Sequence, residues 1–425
     1  MIPTFPHLEN DTKTDVLIIG GGMAGLLTAF MLTQAGVNNL LIDADRICHG
    51  VTRNTTAKIT SQHGLIYQKL VDQFDYDTAG LYYQANEDAI GEYRRLCKEI
   101  PCEFENQSAY VYARGSEKRL EREMQVLQKI GIPFDAVQST ALPLPTKGAV
   151  RFRKQAQFHP LRFAAVIAKN LNIREQTKFL SFDGEDVITD RGVIRAKRIV
   201  VATHFPILNK HGSFFLKMYQ QRSYVLALKA ANGISGMYRD AAEDGLSLRS
   251  YGEYLLLGGG SHRTGKPSEG WRPLEIAADK YFPGAVKVRQ WATQDCITLD
   301  GMPYIGQYSK RTPNLYVATG FNKWGMTGSM ISATVLSKLL QGQDDPYGGL
   351  FSPSRSILRK QLLVNGVSSA VNLLTPTKPR CPHLGCALKW NTHEHSWDCP
   401  CHGSRFTEDG KLLDNPATGD LSKEQ

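Results

Sequence analysis

Two groups of residues in this sequence have types and spacings that could do chemistry. Gly20, Gly22 and Gly25 form G-x-G-x-x-G between an apolar run, Asp15 to Ile19, and a helical pattern beginning at Met23. In that setting the first glycine permits a tight turn, the second lets the backbone approach a pyrophosphate, and the third lets helix pack on strand. Free amides at the helix start then bind phosphate. Asp43 ends the next apolar run, where an acid accepts hydrogen bonds from ribose hydroxyls. A glycine-rich turn without a ligand is the alternative. The second group is Cys381, His383 and Cys386, followed by Cys399, Cys401 and His402. Two thiolates and two imidazoles suit a [2Fe–2S] centre with cysteines on one iron and histidines on the other. They also suit tetrahedral zinc.

The elements that must position these residues are legible in outline. Asp15–Ile19, Met23–Ala35 and Asn39–Asp43 read as strand, helix and strand, a βαβ unit. Residues 62–73, 76–99 and 116–130 read as amphipathic helices. From about 149 strands take over, with a helix after Pro160 and a strand ending in RIVVAT at 198–203. Alternation over 219–230, 246–258 and 286–294 predicts a largely antiparallel sheet. NLYVAT at 314–319 is a final buried strand and Gly325 to Leu340 a final long helix. Residues 341–380, rich in Gly, Pro and Ser, read as a linker with a helical patch near 357–363.

Composition narrows the class. At 425 residues the chain exceeds one typical core, and 42% hydrophobic with 21% charged residues excludes bulk disorder. The net charge of +9 is scattered without long basic runs, so no nucleic-acid partner is expected. The N-terminus lacks the marks of a signal peptide and no apolar stretch is long enough to span a membrane, so a cytoplasmic protein is expected. There, clustered cysteines favour metal or redox chemistry over a disulfide framework.

The segments DVLIIGGGMAGLLTAFMLTQAG, LLIDADRICHGVTRNTTAKIT, RIVVAT, DCITLDGMPYIG and NLYVATGFNKWGMT occur in the order shown by the FAD-dependent oxidoreductases that include D-amino-acid, glycine and sarcosine oxidases. The chain resembles that family over roughly 14–342. The resemblance implies FAD bound by Gly20, Gly22, Met23, Ala24, Gly25, Asp43 and Ala44. It implies that the loop carrying Thr52, Thr55, Thr56, Ala57 and Lys58 runs beside the flavin, with Thr203 nearby. Gly320, Phe321, Trp324, Gly325, Met326 and Thr327 should bring backbone amides and a helix start to the flavin ring. Trp324 reads equally as a core aromatic, and Gly325 and Gly328 as close-packing glycines. The family's second-strand acid is usually Glu, where this chain has Asp43. The predicted sheet should cover the flavin, and Arg222, Arg249, Tyr251, His262 and Lys323 are its candidate catalytic residues. An Arg there could clamp a substrate carboxylate and a Tyr or His orient an amine. Ordinary solvated polar positions explain the same residues.

TTAKITSQHG, QDCITLDGMPYIG and GFNKWGMT resemble more closely a bacterial group in which the flavin domain is fused to a C-terminal Rieske domain. The flanking CPHLGC and CPCHGS favour iron–sulfur over zinc. The resemblance implies Cys381 and Cys399 on one iron, His383 and His402 on the other, and a disulfide joining Cys386 to Cys401. Ser404 matches a serine that hydrogen-bonds a cluster sulfur, and Phe406 stands where high-potential relatives carry Tyr, so a lower potential is expected. His393 and His395 read as solvated loop residues. Rieske domains ordinarily place several strands before the first ligand loop, and this chain has little room for them.

The fold expected is α/β: a Rossmann-like FAD-binding domain with an interleaved, largely antiparallel substrate-domain sheet, plus a small all-β Rieske-like module. FAD-binding segments are 14–100, 160–215 and 300–342, substrate segments 101–159 and 216–299, a linker 343–375, and a possibly incomplete module 376–425. The activity expected is oxidation of the C–N bond of an amine or amino acid, with electrons leaving FAD through the cluster to an external acceptor. The alternative is a flavin oxidase, or catalytically altered flavoprotein, whose module is degenerate and serves only structure or docking.

Overall fold

In the computed structural model, strand Thr12–Ile19 lies at the centre of an eight-stranded sheet because its apolar half, DVLII, has one face on each of two layers. It pairs in parallel with Asn39–Ile42 on one side and Gly192–Val201 on the other, and the latter pairs in parallel with Thr312–Thr319. The structure describes residues 2–208, 211–229, 233–356, 372–373, 375 and 379–422. Helix Met23–Gln34 follows the first strand directly and buries Leu26, Leu27, Ala29 and Leu32, so it is a core helix. Each such leucine contributes about 1.5–3 kcal/mol by leaving water. Gly36, at φ +72°, ends it in the left-handed conformation. Helix Gly325–Leu339 lies against it, buried on nearly every side.

A second, nine-stranded sheet covers the carboxyl end of the first. Three of its long strands matter most: Val286–Thr298, Met218–Lys229 and Tyr254–Arg263, adjacent in that order and antiparallel. They are called the wall below. The sheet is antiparallel as expected, except where Met237–Asp240 runs parallel to Glu105–Tyr112. The segment 246–258, read as one strand, is a hairpin of Ser247–Tyr251 and Tyr254–Arg263 turning at Gly252. The expected helix 62–73 begins only at Ile66, because Thr60 to Leu65 are held in a loop by hydrogen bonds such as Gln62 Nε2 to Val150 O.

The C-terminal module is a four-stranded antiparallel meander, Lys389–Asn391, Ser396–Asp398, Arg405–Thr407 and Leu412–Asp414. Its core is Cys381, Cys386, Leu388, Cys399, Cys401, Phe406 and Ala417. The helical patch expected near 357–363 lies outside the described residues. Among them, no helix is long and apolar enough to cross a membrane.

Candidate functional site

The dinucleotide turn has the geometry its glycines require. A side chain at Gly25 would place Cβ 1.9 Å from Gly20 O, and one at Gly20, φ +114°, would meet Ala202 O at 2.6 Å. Helix and strand therefore approach as only glycines allow, and Gly25→Ala breaks the turn. Gly22 caps the helix without a side chain, leaving Ala24 and Gly25 amides open in the first turn, while Met23 N donates to Thr52 Oγ1. Asp43 accepts from Gly21 N at 2.6 Å and Asp45 N at 2.8 Å, and burial raises its pKa. Ala44 beside it is exposed. This is a cradle for a pyrophosphate and a ribose. Thr203 lies two residues past strand Gly192–Val201, its hydroxyl donating to Phe205 O.

From the cradle the chain leads to a cavity of about 100 Å³ under the wall, lined among others by Thr55, Thr56, Lys58, Trp324, Gly325 and Met326. Ser223, Ser261, Thr293 and Asp295 close it from the wall side. Lys58 Nζ donates to Tyr238 O at 2.9 Å and to Ser247 Oγ; burial, then Arg239 and Arg249, lower its pKa. Lys323, at φ +73°, donates to Ser261 Oγ at 2.7 Å; burial and Arg239 bring its pKa down to about 8 against the pull of Asp295. Arg249 is 4% exposed, with Nε and Nη1 free of hydrogen bonds among the described residues. Burial lowers its pKa to about 10 against the pull of Glu105. Strand alternation puts it on the face of Ser247, which lines the cavity, and of Tyr251, whose ring its guanidinium overlies at 5.7 Å. Ala57 sits at φ +50° with its amide on Thr55 Oγ1. Thr327 Oγ1 lies 3.3 Å from His63, which stacks on Trp324 at 4.5 Å. Gly320, φ +73°, has no room for a Cβ against Thr298, and the Phe321 ring lies over Gly328, so that glycine serves close packing.

Three expected catalytic residues lie elsewhere. Strand alternation puts Arg222 on the outer face of the wall, 4% exposed, where Nε donates to Glu394 at 3.0 Å and Nη2 pairs with the same carboxylate. His262, opposite Arg222 in register, stacks on Tyr224 on that same outer side. Tyr251 turns at the sheet end and donates to Glu103 at 2.6 Å. Sequence reasoning missed Asp295, Arg239 and His63. Alternation along 286–298 would have grouped Asp295 with Thr293, but only pairing shows which face is covered.

On the outer face lie the metal-ligating candidates. Loops 381–386 and 399–404 close alike: Cys381 N bonds Cys386 O and Cys399 N bonds Ser404 O, while Gly385 N and Gly403 N return to Cys381 O and Cys399 O. A disulfide joins Cys386 to Cys401. Sulfurs of Cys386, Cys399 and Cys401 lie within 4.8 Å of one another, but two are spent in that disulfide, so Cys399 is the free thiol among them. Cys381 and Cys399 are hydrogen-bonded neighbours, which lowers the pKa of Cys381 to about 7 and raises that of Cys399. Amides of His383 and Leu384 and the Ser404 hydroxyl also face Cys381, as suits a thiolate. The rings of His383 and His402 are 5.0 Å apart. His402 is 2% exposed and neither ring nitrogen makes a hydrogen bond of ordinary geometry among the described residues. Two neighbouring thiols and two imidazoles, one of them buried, fit a Cys₂His₂ cluster. His393 and His395 are exposed, His393 resting against Ser268 O.

The second ligand loop is seated on the wall. Gln220 Nε2 donates to His402 O and Asn415 O, and Gln294 Nε2 to Gly403 O and Gln220 Oε1, each at 2.8 Å. Arg263 donates to Pro400 O and Cys401 O. Asn415 donates to Thr203 O and Phe205 O. Arg405 gathers Glu394, Asp398 and Asp414 within the module.

A family model described as FAD dependent oxidoreductase matches residues 15–339, and one described as Rieske [2Fe-2S] domain matches 357–423. The putative Rieske 2Fe-2S iron-sulfur protein YhfW of Bacillus subtilis is 35% identical over 488 residues, covering 99% of this chain and 95% of that protein. That alignment is longer than this chain, so the relative holds stretches this chain lacks. The solved L-proline dehydrogenase from P. horikoshii shares the fold, with a TM-score of 0.68, 18% identity, and cover of 83% of this chain and 98% of that one. Glycine oxidase from Geobacillus kaustophilus does so too, with a TM-score of 0.68, 19% identity, and cover of 81% and 99%.

Proposed function

Because the chain belongs to the family of FAD dependent oxidoreductases and ends in a Rieske [2Fe-2S] domain, we propose that it oxidises the C–N bond of an amine or amino acid and delivers the electrons through the cluster to an external one-electron acceptor. One observation carries this reading. The cavity and the second ligand loop lie on opposite faces of the same three strands, so Ser223, Thr293 and Asp295 face one while Gln220, Arg222 and Gln294 face the other.

When bound, FAD supplies a two-electron acceptor for hydride and the cluster a one-electron carrier. In this reading Gly20, Gly22, Met23, Ala24, Gly25 and Asp43 hold the dinucleotide half. Thr55, Thr56, Ala57, Lys58 and the turn Gly320–Thr327 surround the ring, with the start of helix Gly325–Leu339 placing amides where negative charge develops. Arg249, buried and incompletely paired, binds the substrate carboxylate, and Lys323 adds a second cation at the cavity wall. The wall excludes water from the reacting carbon. Cys381, His383, Cys399 and His402 hold the cluster. The cytoplasmic setting and the acceptor belong to the proposal as well.

The test is an anaerobic titration with a panel of amines and amino acids, following the flavin band together with iron and acid-labile sulfide content. Flavin bleaching by a member of the panel, with two irons per chain and cluster reduction in step, is the expected result. A flavin that bleaches in a protein without iron overturns the electron path.

A further inference from the structure

The amides of Gln220 and Gln294 have no part in binding either cofactor, yet both are almost fully buried, at 1% and 2% exposure, and every donor they present is aimed at the module or at each other. Gln294 Oε1 is in turn fixed by the Thr264 hydroxyl at 2.9 Å. The acceptors are the backbone carbonyls of His402, a metal-ligating candidate, and of Gly403 beside it. Gly403 fits only as glycine, since a Cβ there would lie 2.6 Å from the Gln220 side chain. Pro400 is pressed as closely on Gly265, where a Cβ would meet Pro400 N at 2.6 Å. Around this contact the buried Arg222–Glu394 pair ties module to wall. Polar groups this buried lose much if they separate, because each opened carbonyl and amide must find a new partner.

We propose that Gln220 and Gln294 are positioning residues for the electron step: they hold loop 399–404 in one register on the wall, so that electrons cross the sheet with the module fixed rather than swinging. This rests on the function proposed above. Each crossing moves one electron: the two-electron-reduced flavin loses one and one ferric ion of the cluster becomes ferrous. The flavin proton goes to solvent. The external acceptor empties the cluster before the second electron follows.

The experiment uses the holoprotein under anaerobic conditions. A light pulse with a sacrificial donor reduces the flavin, and rapid-freeze EPR follows the cluster. In Gln220→Leu/Gln294→Leu the crossing should slow roughly tenfold or more, since misplacement by about 1 Å is enough for large losses. Cluster and flavin content should stay at the unmutated level, and hydrogen exchange at residues 401–404 should quicken. An unchanged rate in a variant that holds both cofactors overturns the proposal. If the variant loses its cluster, the unmutated protein decides by viscosity: a rate independent of added glycerol is expected, and one that falls with viscosity marks a swinging module and overturns the fixed register. Failure of the unmutated protein to reduce its cluster from reduced flavin is a separate outcome that removes the proposed function itself.

Discussion

Arg222 and Arg249 lie on neighbouring regions of one sheet, each 4% exposed, and differ in what meets them. Arg222, on the outer face, has a carboxylate across its guanidinium and a second one, Asp414, 3.8 Å away. Arg249, on the inner face, has Nε and Nη1 without hydrogen-bond partners among the described residues. Burying a cation with incomplete hydrogen bonding is costly, and the cost is tolerated where a ligand completes the set. The outer face thus holds the C-terminal module by paired charges, and the inner face carries a buried cation whose partners a carboxylate would complete in the proposed function.

The change with the largest effect attacks the outer face at its metal. His402→Ala is expected to abolish iron and acid-labile sulfide while flavin absorbance remains at one FAD per chain; simultaneous loss of both would erase the division between the faces. Next, Arg222→Met takes from the buried Glu394 one of its two cationic partners, Arg405 remaining, and urea unfolding should show a loss of about 1.5–3 kcal/mol, as for a lost hydrogen bond to a charged group. Arg249→Met should do the reverse: little or no loss in the same unfolding measurement, with the KM for a carboxylate-bearing substrate raised roughly tenfold to a hundredfold, as for a lost charge-assisted hydrogen bond. Arg222→Met and Arg249→Met behaving alike would collapse the comparison.

The smallest effect is a pH dependence on the inner face. Lys323, brought down to about 8, carries its charge below that pH and loses it above. KM for an anionic substrate should therefore rise a few-fold as pH passes through 8. In Lys323→Met it should already be high and show no inflection there.

The inner cradle was legible because each of its parts depends on local spacing. At Gly20 and Gly25 a Cβ would collide with backbone, and Asp43 follows a strand whose apolar run is unmistakable. The candidate cluster ligands stand out for the same reason, two short loops carrying the whole donor set. Arg222 and His262 were misread because a strand of alternating residues does not say which face is inside. Both faces of the wall are covered, so polar residues occur on each, and only the long-range partners Glu394 and Tyr224 separate them. Tyr251 was misplaced because the hairpin turn at Gly252 carries it to the sheet end beside Glu103. Gln220 and Gln294 carried no signal at all, since an amide acquires meaning only from the carbonyls set against it, more than a hundred positions away.

The central claim is that the two faces of the wall exchange electrons. Anaerobic photoreduction of the holoprotein, read by flavin absorbance and cluster EPR in the same sample, tests it most directly. The expected result is a cluster signal that grows as the reduced flavin donates, before any external reductant of the cluster is added. A fully bleached flavin beside a cluster that stays oxidised, yet is reduced at once by dithionite, would contradict it.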